Sequence, residues 1–393
     1  MKWDLNFERL EEDLFSLIEI PSVSGNEQAI SNFILSTLKK SGLKPEQDEM
    51  GNIIVQIDGK HKGNHVILNG HLDTVPPGKG WKGDPYKARK ANGRIYGLGS
   101  ADMKAGLAIM MELSRIFHSL KRNFCGKVTF TFTVGEEVED HKRHGAYHIT
   151  KNLKGDFALV LEPSQQDDSK KICVKVGNGG RCILKAKIHG KAAHSSRPFL
   201  GVNALELGSL VVNKIRKEAP KIKEFKIKEL GVSFRPGFSV TQMSVDDSPS
   251  NVIPDYCELI IDRRTVPGEK RTDIIKYVRS ILESVKKESG IKFKYELKLL
   301  GYRRPILMPL NSKLLKTLIE KVEKRYSYTP RLLFSLGTSD AGYFEKSGTP
   351  TLSFGPGDLY HIHKANEHVS RAGLRAYALI CMDIISDVCE TGK

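Results

Sequence analysis

Between residues 52 and 162 the chain repeats one pattern four times: a short, densely apolar, β-branched run that stops at a polar or glycine-rich junction. The runs are NIIVQI (52–57), HVILNG (65–70), KVTFTFTV (127–134) and DFALVLE (156–162). Segments of helical period, 26–41, 103–120 and 141–153, alternate with them. Strand–helix alternation predicts an α/β fold, a mostly parallel (mixed) sheet flanked by helices. In such sheets chemistry collects just beyond the carboxyl ends of the strands.

After KICVKVGNGG (171–180) the style changes. RCILKAKIHG, FSVTQMSVDD and YCELIIDRR read as strands, with helical patterns at 203–218 and 269–288. Turn-rich crossings near 177–180 and 296–302 bracket this part, and the chain then returns to helices at 310–325 and 370–388. The expected organisation is a catalytic domain in two pieces, 1–178 and 298–393, interrupted by an inserted α+β lid or dimerisation domain at 179–297.

With 393 residues there is enough chain for two or three cores. No run approaches the roughly 18 apolar residues that span a membrane. The opening MKWDLNFERLEEDLFSLIEI carries acids inside its apolar pattern, which predicts an amphipathic helix and not a signal peptide. Six cysteines without a CxxC predict reduced thiols and a cytoplasmic setting, with Cys389 the one expected at the surface. The net charge of +16 raises the question of an acidic partner. Its lysines, however, are interleaved with glutamates, as in KEAPKIKEFKIKEL (217–230), and no arginine-rich arm or helix-turn-helix accompanies them. Neither nucleic acid nor a membrane is expected as a partner.

The strand-to-loop junctions carry the chemistry. HVILNG runs into His71-Leu72-Asp73, where i and i+2 share a face in extended geometry. His71 and Asp73 can therefore address one site, or Asp73 can orient His71 through its second ring nitrogen. Asp102 sits in the glycine-rich GLGSADMKAG, Glu136 and Glu137 follow the third run, and Glu162 ends the fourth. GPGDLYHIHKANEHVS adds His361 and His363. Singly, these read as a surface turn, a helix N-cap and a solvated acid pair. Their joint placement at successive junctions of one sheet is what a solvated surface has no reason to produce. Mixed imidazole and carboxylate donors suit Zn²⁺, with Co²⁺ or Mn²⁺ as substitutes. A two-metal centre needs a bridging carboxylate, terminal ligands for each ion and one further carboxylate left as base.

NGHLDTVPPG, GLGSADMKAG, TVGEE, LEPS and IHKANEHV resemble the metal-site motifs of the zinc family that contains acetylornithine deacetylase, succinyl-diaminopimelate desuccinylase, aminoacylase-1 and glutamate carboxypeptidase. HGKAAHSSRPFLGVNALE, SPSNVIPDYCELIIDRR and GTSDAGYF resemble its lid and hinge signatures, so the likeness runs over essentially the whole chain. The resemblance implies two Zn²⁺, with Asp102 bridging, His71 and Glu162 on one ion, Glu137 and His363 on the other, Asp73 behind His71, and Glu136 as general base. It implies that His194 serves the tetrahedral intermediate across a homodimer interface in the inserted domain. Asn251, Arg264, Thr338 and Gly355 match substrate, lid, hinge and pocket positions. His363 is preferred to His361 because Lys-Ala-Asn-Glu follows it, completing an H-x-x-x-E pattern with Glu367.

Two departures stand out. Leu336 precedes Gly337 where the family often has a second glycine, and VEDHKRHGAYH brings His141, His144 and His148 where relatives carry a short Gly/Ser turn. The implied activity is hydrolysis of an N-acyl amino acid or diamino acid, with the lid motif closer to the deacetylases. A metallo-carboxypeptidase or dipeptidase acting on short peptides, and a non-catalytic scaffold on the same fold, are the competing readings.

Overall fold

The computed structural model describes residues 4–120, 123–138, 140–166, 171–245 and 249–390. The chain divides into two compact units: Met1–Gly177 with Leu307–Phe334 and Ser339–Lys393, and Asn178–Ile306 with Ser335–Thr338.

The first unit is built on one large sheet. Seven of its nine strands run, from one edge, Glu46–Gln47, Ile53–Asp58, Cys125–Thr133, His61–His71, Phe157–Gln165, Thr351–Asp358 and Cys173–Asn178. The four central strands, 125–133, 61–71, 157–165 and 351–358, are mutually parallel. Ile53–Asp58 pairs antiparallel on one side of them and Cys173–Asn178 on the other. Val128, Phe130, Phe132, Ile67, Leu68, Leu159 and Leu161 are all buried. Strands covered on both faces are largely apolar, and the polar residues they carry, such as Asn69, Thr131 and Thr133, are buried and hydrogen-bonded.

Helix Ala105–Ser119 lies inside this unit, buried from Ala105 to Phe117. Its charged Glu112 and Arg115 are buried too, paired with Arg9 and Asp13, and a helix enclosed on all sides belongs in a core. Two glycines let its start come close to the sheet. A Cβ at Gly106 would sit 2.4 Å from the Leu161 carbonyl oxygen, and one at Gly70 would sit 2.6 Å from Met103 Cε. That close approach sets the turn bearing Asp102 over the strand ends.

The second unit has a four-stranded antiparallel sheet in the order 238–245, 256–265, 180–189, 294–303. Leu184, Ile188, Leu259 and Ile261 on one face pack with Leu207 and Val211 of helix Ala204–Glu218 and with Val278 and Leu282 of helix Arg271–Ser289. Asn203 caps the first of these helices through the amides of Leu205 and Glu206.

Within this second sheet Gly180–His189 is interior, paired on both sides, and the edges are 238–245 and 294–303. Three local expectations change. Lys294–Arg303 is a strand of this second sheet, so the turn-rich stretch at 296–302 is not a crossing. The helix expected over 141–153 shrinks to a 3-10 turn, His141–Arg143, and a short helix, Gly145–Ile149. Cys389 is fully buried, because it falls on the inward side of the closing helix Arg371–Glu390.

Candidate active site

Every residue of the candidate centre in the first unit lies at or just past the carboxyl end of a central strand, or in the turn before helix Ala105–Ser119. His71 closes strand His61–His71. Its Nδ1 donates to the backbone carbonyl of Asp73 at 2.9 Å, which leaves Nε2 facing inward, 3.1 Å from Asp102 Oδ1. The second Asp102 oxygen lies 3.4 Å from His363 Nε2, and that nitrogen is 2.8 Å from Glu137 Oε1. Donor atoms of His71, Asp102 and Glu137 all fall within 4.8 Å of one another, the spacing of a metal-ligand group.

Asp73 serves the site differently from the expectation that its carboxylate orients His71. That job falls to its main-chain oxygen, while the carboxylate lies 3.6 Å from Nδ1. The carboxylate instead accepts the amides of Glu136 and Glu137, at 3.0 and 2.9 Å, and the Ser24 hydroxyl at 2.7 Å. Glu136, buried, thereby has its main chain fixed beside Glu137.

The turn carrying Asp102 is held by Glu367, which is 2% exposed and accepts the amides of Gly99, Ala101 and Asp102 at 2.9, 2.8 and 2.9 Å. Lys104, also buried, donates to the Ile20 carbonyl. Burial pushes its ammonium down to about 7.

Glu162 stands apart from the trio. Its Oε2 is 3.0 Å from the ammonium of Lys175, another buried group, while its Oε1 is buried without a hydrogen-bond partner among the described residues. Sequence reasoning passed over Lys175. Its signal is a single charged residue inside the apolar strand run ICVKV, where an unpaired ammonium would be costly.

The charges ask for a cation. Hydrogen bonds donated to the Asp102 and Glu137 carboxylates push His363 up to about 11. Burial draws the His71 imidazolium down, but Asp102, Asp73 and Glu136 together pull it above its usual range. Buried carboxylates clustered this way need positive charge opposite them. The open Glu162 oxygen, the inward Nε2 of His71 and the paired oxygens of Asp102 are donors that a divalent ion accepts, so the residues present fit a metal centre.

His361 does not join this cluster; its ring packs on His368, centroids 4.2 Å apart. Gly355 lies in strand Thr351–Asp358, where a Cβ would sit 2.1 Å from the Leu161 carbonyl oxygen, so it permits strand packing. His144 is buried and His148 bonds the Lys142 carbonyl; the His141 side chain lies outside what the structure describes.

Four predicted residues belong to the second unit. His194 pairs in register with Val252, next to Asn251, whose carbonyl accepts the Ser195 amide. The Ser196 amide and hydroxyl bond His194 Nδ1 at 3.1 and 2.8 Å. Arg264 lies 3.2 Å from Asp262, and the Thr338 hydroxyl accepts from Arg303 at 3.0 Å.

A parallel-core sheet with imidazoles and carboxylates gathered at its strand ends defines a class, the enzymes of α/β fold whose polar centre sits at the strand ends. The family is specific: residues 67–387 match the model of Peptidase family M20/M25/M40, and the chain belongs to it. It is a hydrolase of amide bonds. The succinyl-diaminopimelate desuccinylase of Corynebacterium glutamicum is 29% identical over 378 residues, 94% of each chain. The desuccinylase of Wolinella succinogenes is 27% identical over 383 residues, 95% of this chain and 98% of its own. A tripeptidase from Staphylococcus aureus shares the fold, with TM-score 0.75, 23% identity and coverage of 98% and 99%. No helix among the described residues is long and apolar enough to cross a membrane.

Proposed function

We propose that the chain is a two-metal hydrolase that removes an acyl group, acetyl or succinyl, from the amine of an amino acid or diamino acid. The observation that supports this most is the aspect of Asp102: one oxygen faces His71 at 3.1 Å and the other faces His363 at 3.4 Å. A single carboxylate addressing two separate imidazoles is what a pair of ions roughly 3.5–4 Å apart requires as its bridge. On this reading His71 and Glu162 complete one side, and Glu137 and His363 the other. The donor set suits Zn²⁺, with Co²⁺ or Mn²⁺ as substitutes.

Bound there, the ions would acidify a water and polarise the scissile carbonyl. Glu136 takes the proton of the attacking water and returns it to the departing amine nitrogen. Asp73 keeps Glu136 and Glu137 in their separate roles by holding both amides. His194, its Nδ1 engaged by Ser196, keeps Nε2 for the oxyanion. Asn251, Arg264 and Thr338 are assigned to the substrate's carboxylate and the hinge, and Gly355 to the floor of the pocket. The desuccinylase relatives support succinyl as the acyl group, whereas the lid segment AAHSSRPFLGVNA supports acetyl. Action as a carboxypeptidase or dipeptidase would use the same centre with a different pocket.

A homodimer through the second unit is part of this proposal. Exposed Leu205 and Leu210 on helix Ala204–Glu218, with Met243 and Val245 on the edge strand Phe238–Val245, support it. Six buried free thiols support a cytoplasmic setting.

The test is a screen of N-acetyl-ornithine, N-acetyl-lysine, N-acetyl-citrulline, N-succinyl-diaminopimelate and dipeptides with added Zn²⁺ or Co²⁺, run beside two variants. E136A is expected to lose turnover by at least about 10³-fold with its metal content intact, and E137A to lose metal. Equal metal loss in both would overturn this division of labour.

A further inference from the structure

The loop after Glu137 departs from the family resemblance, and the structure gives that departure a use. His144 is fully buried. Its Nε2 lies 2.9 Å from the carbonyl oxygen of Val138, the residue after Glu137, and its Nδ1 lies 2.7 Å from the Tyr343 hydroxyl. A carbonyl only accepts, so Nε2 carries a proton, and in the neutral ring Nδ1 accepts from the tyrosine O–H. Tyr343 stands edge-on to the imidazole, centroids 5.7 Å apart, on the short helix Ala341–Lys346.

The turn Gly135–Val138 is thus gripped from two sides. From below, Asp73 takes the amides of Glu136 and Glu137. At its start, the Gly145 amide donates to the Val134 carbonyl at 2.7 Å, and Asn52 Oδ1 accepts the Val134 amide at 3.0 Å. Gly135 has φ +69°, and a Cβ there would come within 2.5 Å of the Arg143 carbonyl oxygen, so segment 143–145 runs directly under the turn. Asp73 fixes amides ahead of the side chains, but it does not set the chain beyond Glu137. Among the contacts described, His144 bonds the carbonyl of the next residue, Val138, through a side chain.

We propose that His144, oriented by Tyr343, is a positioning residue that fixes the exit of the Glu136–Glu137 turn and so the aim of both carboxylates. The proposal rests on the reading of Glu136 as base and Glu137 as ligand. A shift of the chain at Val138 would turn the Glu137 side chain away from His363 and carry Glu136 with it. Errors near 1 Å at a catalytic group cost about 10²-fold.

The experiment compares H144F, H144Q and Y343F in the full chain. H144F keeps a ring and loses the N–H; H144Q keeps one donor and one acceptor; Y343F removes only the hydroxyl. Readouts are kcat and KM separately, the affinity and visible spectrum of bound Co²⁺, and the melting transition. H144F is expected to lower kcat about 10- to 100-fold with KM within about twofold, and to weaken and spectrally shift Co²⁺. H144Q recovers most of both, and Y343F falls between. A packing role alone would lower the melting temperature of H144F and H144Q together and leave kcat per folded molecule and the Co²⁺ spectrum at wild-type values; that result overturns the proposal. Should the wild-type chain hydrolyse none of the substrates tried, the reading of the activity fails, while the Co²⁺ arm still decides the role of His144.

Discussion

Removing the Glu367 carboxylate should loosen the turn that carries Asp102, by an amount that can be worked from three hydrogen bonds. Glu367 accepts the amides of Gly99, Ala101 and Asp102 at 2.9, 2.8 and 2.9 Å and is 2% exposed. E367A leaves three buried donors without an acceptor, each worth about 1–3 kcal/mol, so the ceiling is roughly 3–9 kcal/mol. Part of that is returned. Burial pushes the Glu367 carboxyl up to about 7 against the pull of the amides, so the interior resists this charge and is relieved when it goes. The lower end, about 3 kcal/mol, is the figure to expect, and it corresponds to roughly 150-fold in a local opening equilibrium. Amide hydrogen exchange of the metal-stripped protein reads it directly, at Gly99, Ala101 and Asp102. E367Q makes the prediction sharper. With its oxygen in the place of Oε1 it still accepts from Ala101 and Asp102, but its NH₂ then faces the Gly99 amide, donor against donor. Exchange at Gly99 should accelerate well beyond that of the other two. Uniform acceleration in E367Q, or three amides in E367A exchanging no faster than wild type, would refute the account of this turn.

Two further outcomes follow from pairs and faces. Lys175→Met deprives buried Glu162 of its partner at 3.0 Å, and breaking a buried pair costs about 3–5 kcal/mol. The metal-free protein should lose that much, while added Zn²⁺ should stabilise K175M more than wild type because the cation replaces the lost charge; equal stabilisation by metal would count against Glu162 as a ligand. For the second unit, L210K with M243K should convert a dimer to a monomer in sedimentation velocity, and a wild-type chain that is already monomeric at micromolar concentration would end the dimer proposal.

The parts of this protein that a reader of the sequence can reach are those whose cause is local. Central strands such as 65–70 and 127–134 were legible because burial on both faces fills them with Val, Ile, Leu, Phe and Thr, residues that favour strands. The second unit's strand at 294–303 was not, because only one of its ten residues is fully buried and Gly301, at a register shift, reads as a turn. Cys389 read as exposed because nearness to a terminus is a poor guide beside the face of a helix.

The candidate site divides along the same line. His71, Asp102, Glu136, Glu137, Glu162 and His363 were legible as donor types at junctions, since a metal or proton-transfer centre dictates residue chemistry at the end of each element. What aims them was not. Glu367 could be picked out as a neighbour, but not as the acceptor of three amides some 265 to 268 residues away. Lys175 and the His144–Tyr343 pair act through contacts whose partners are 13 and 199 residues apart, fixed only once the sheet and its flanking turns are assembled. A hydrogen-bonding partner is chosen by geometry, and many residue types can supply the same donor. Hence the groups that do chemistry have a signature in composition, while the groups that hold them have one only in space. Substitutions at His144 and Lys175 are therefore the ones where a sequence reading and a structural reading give different forecasts, the first neutral and the second damaging.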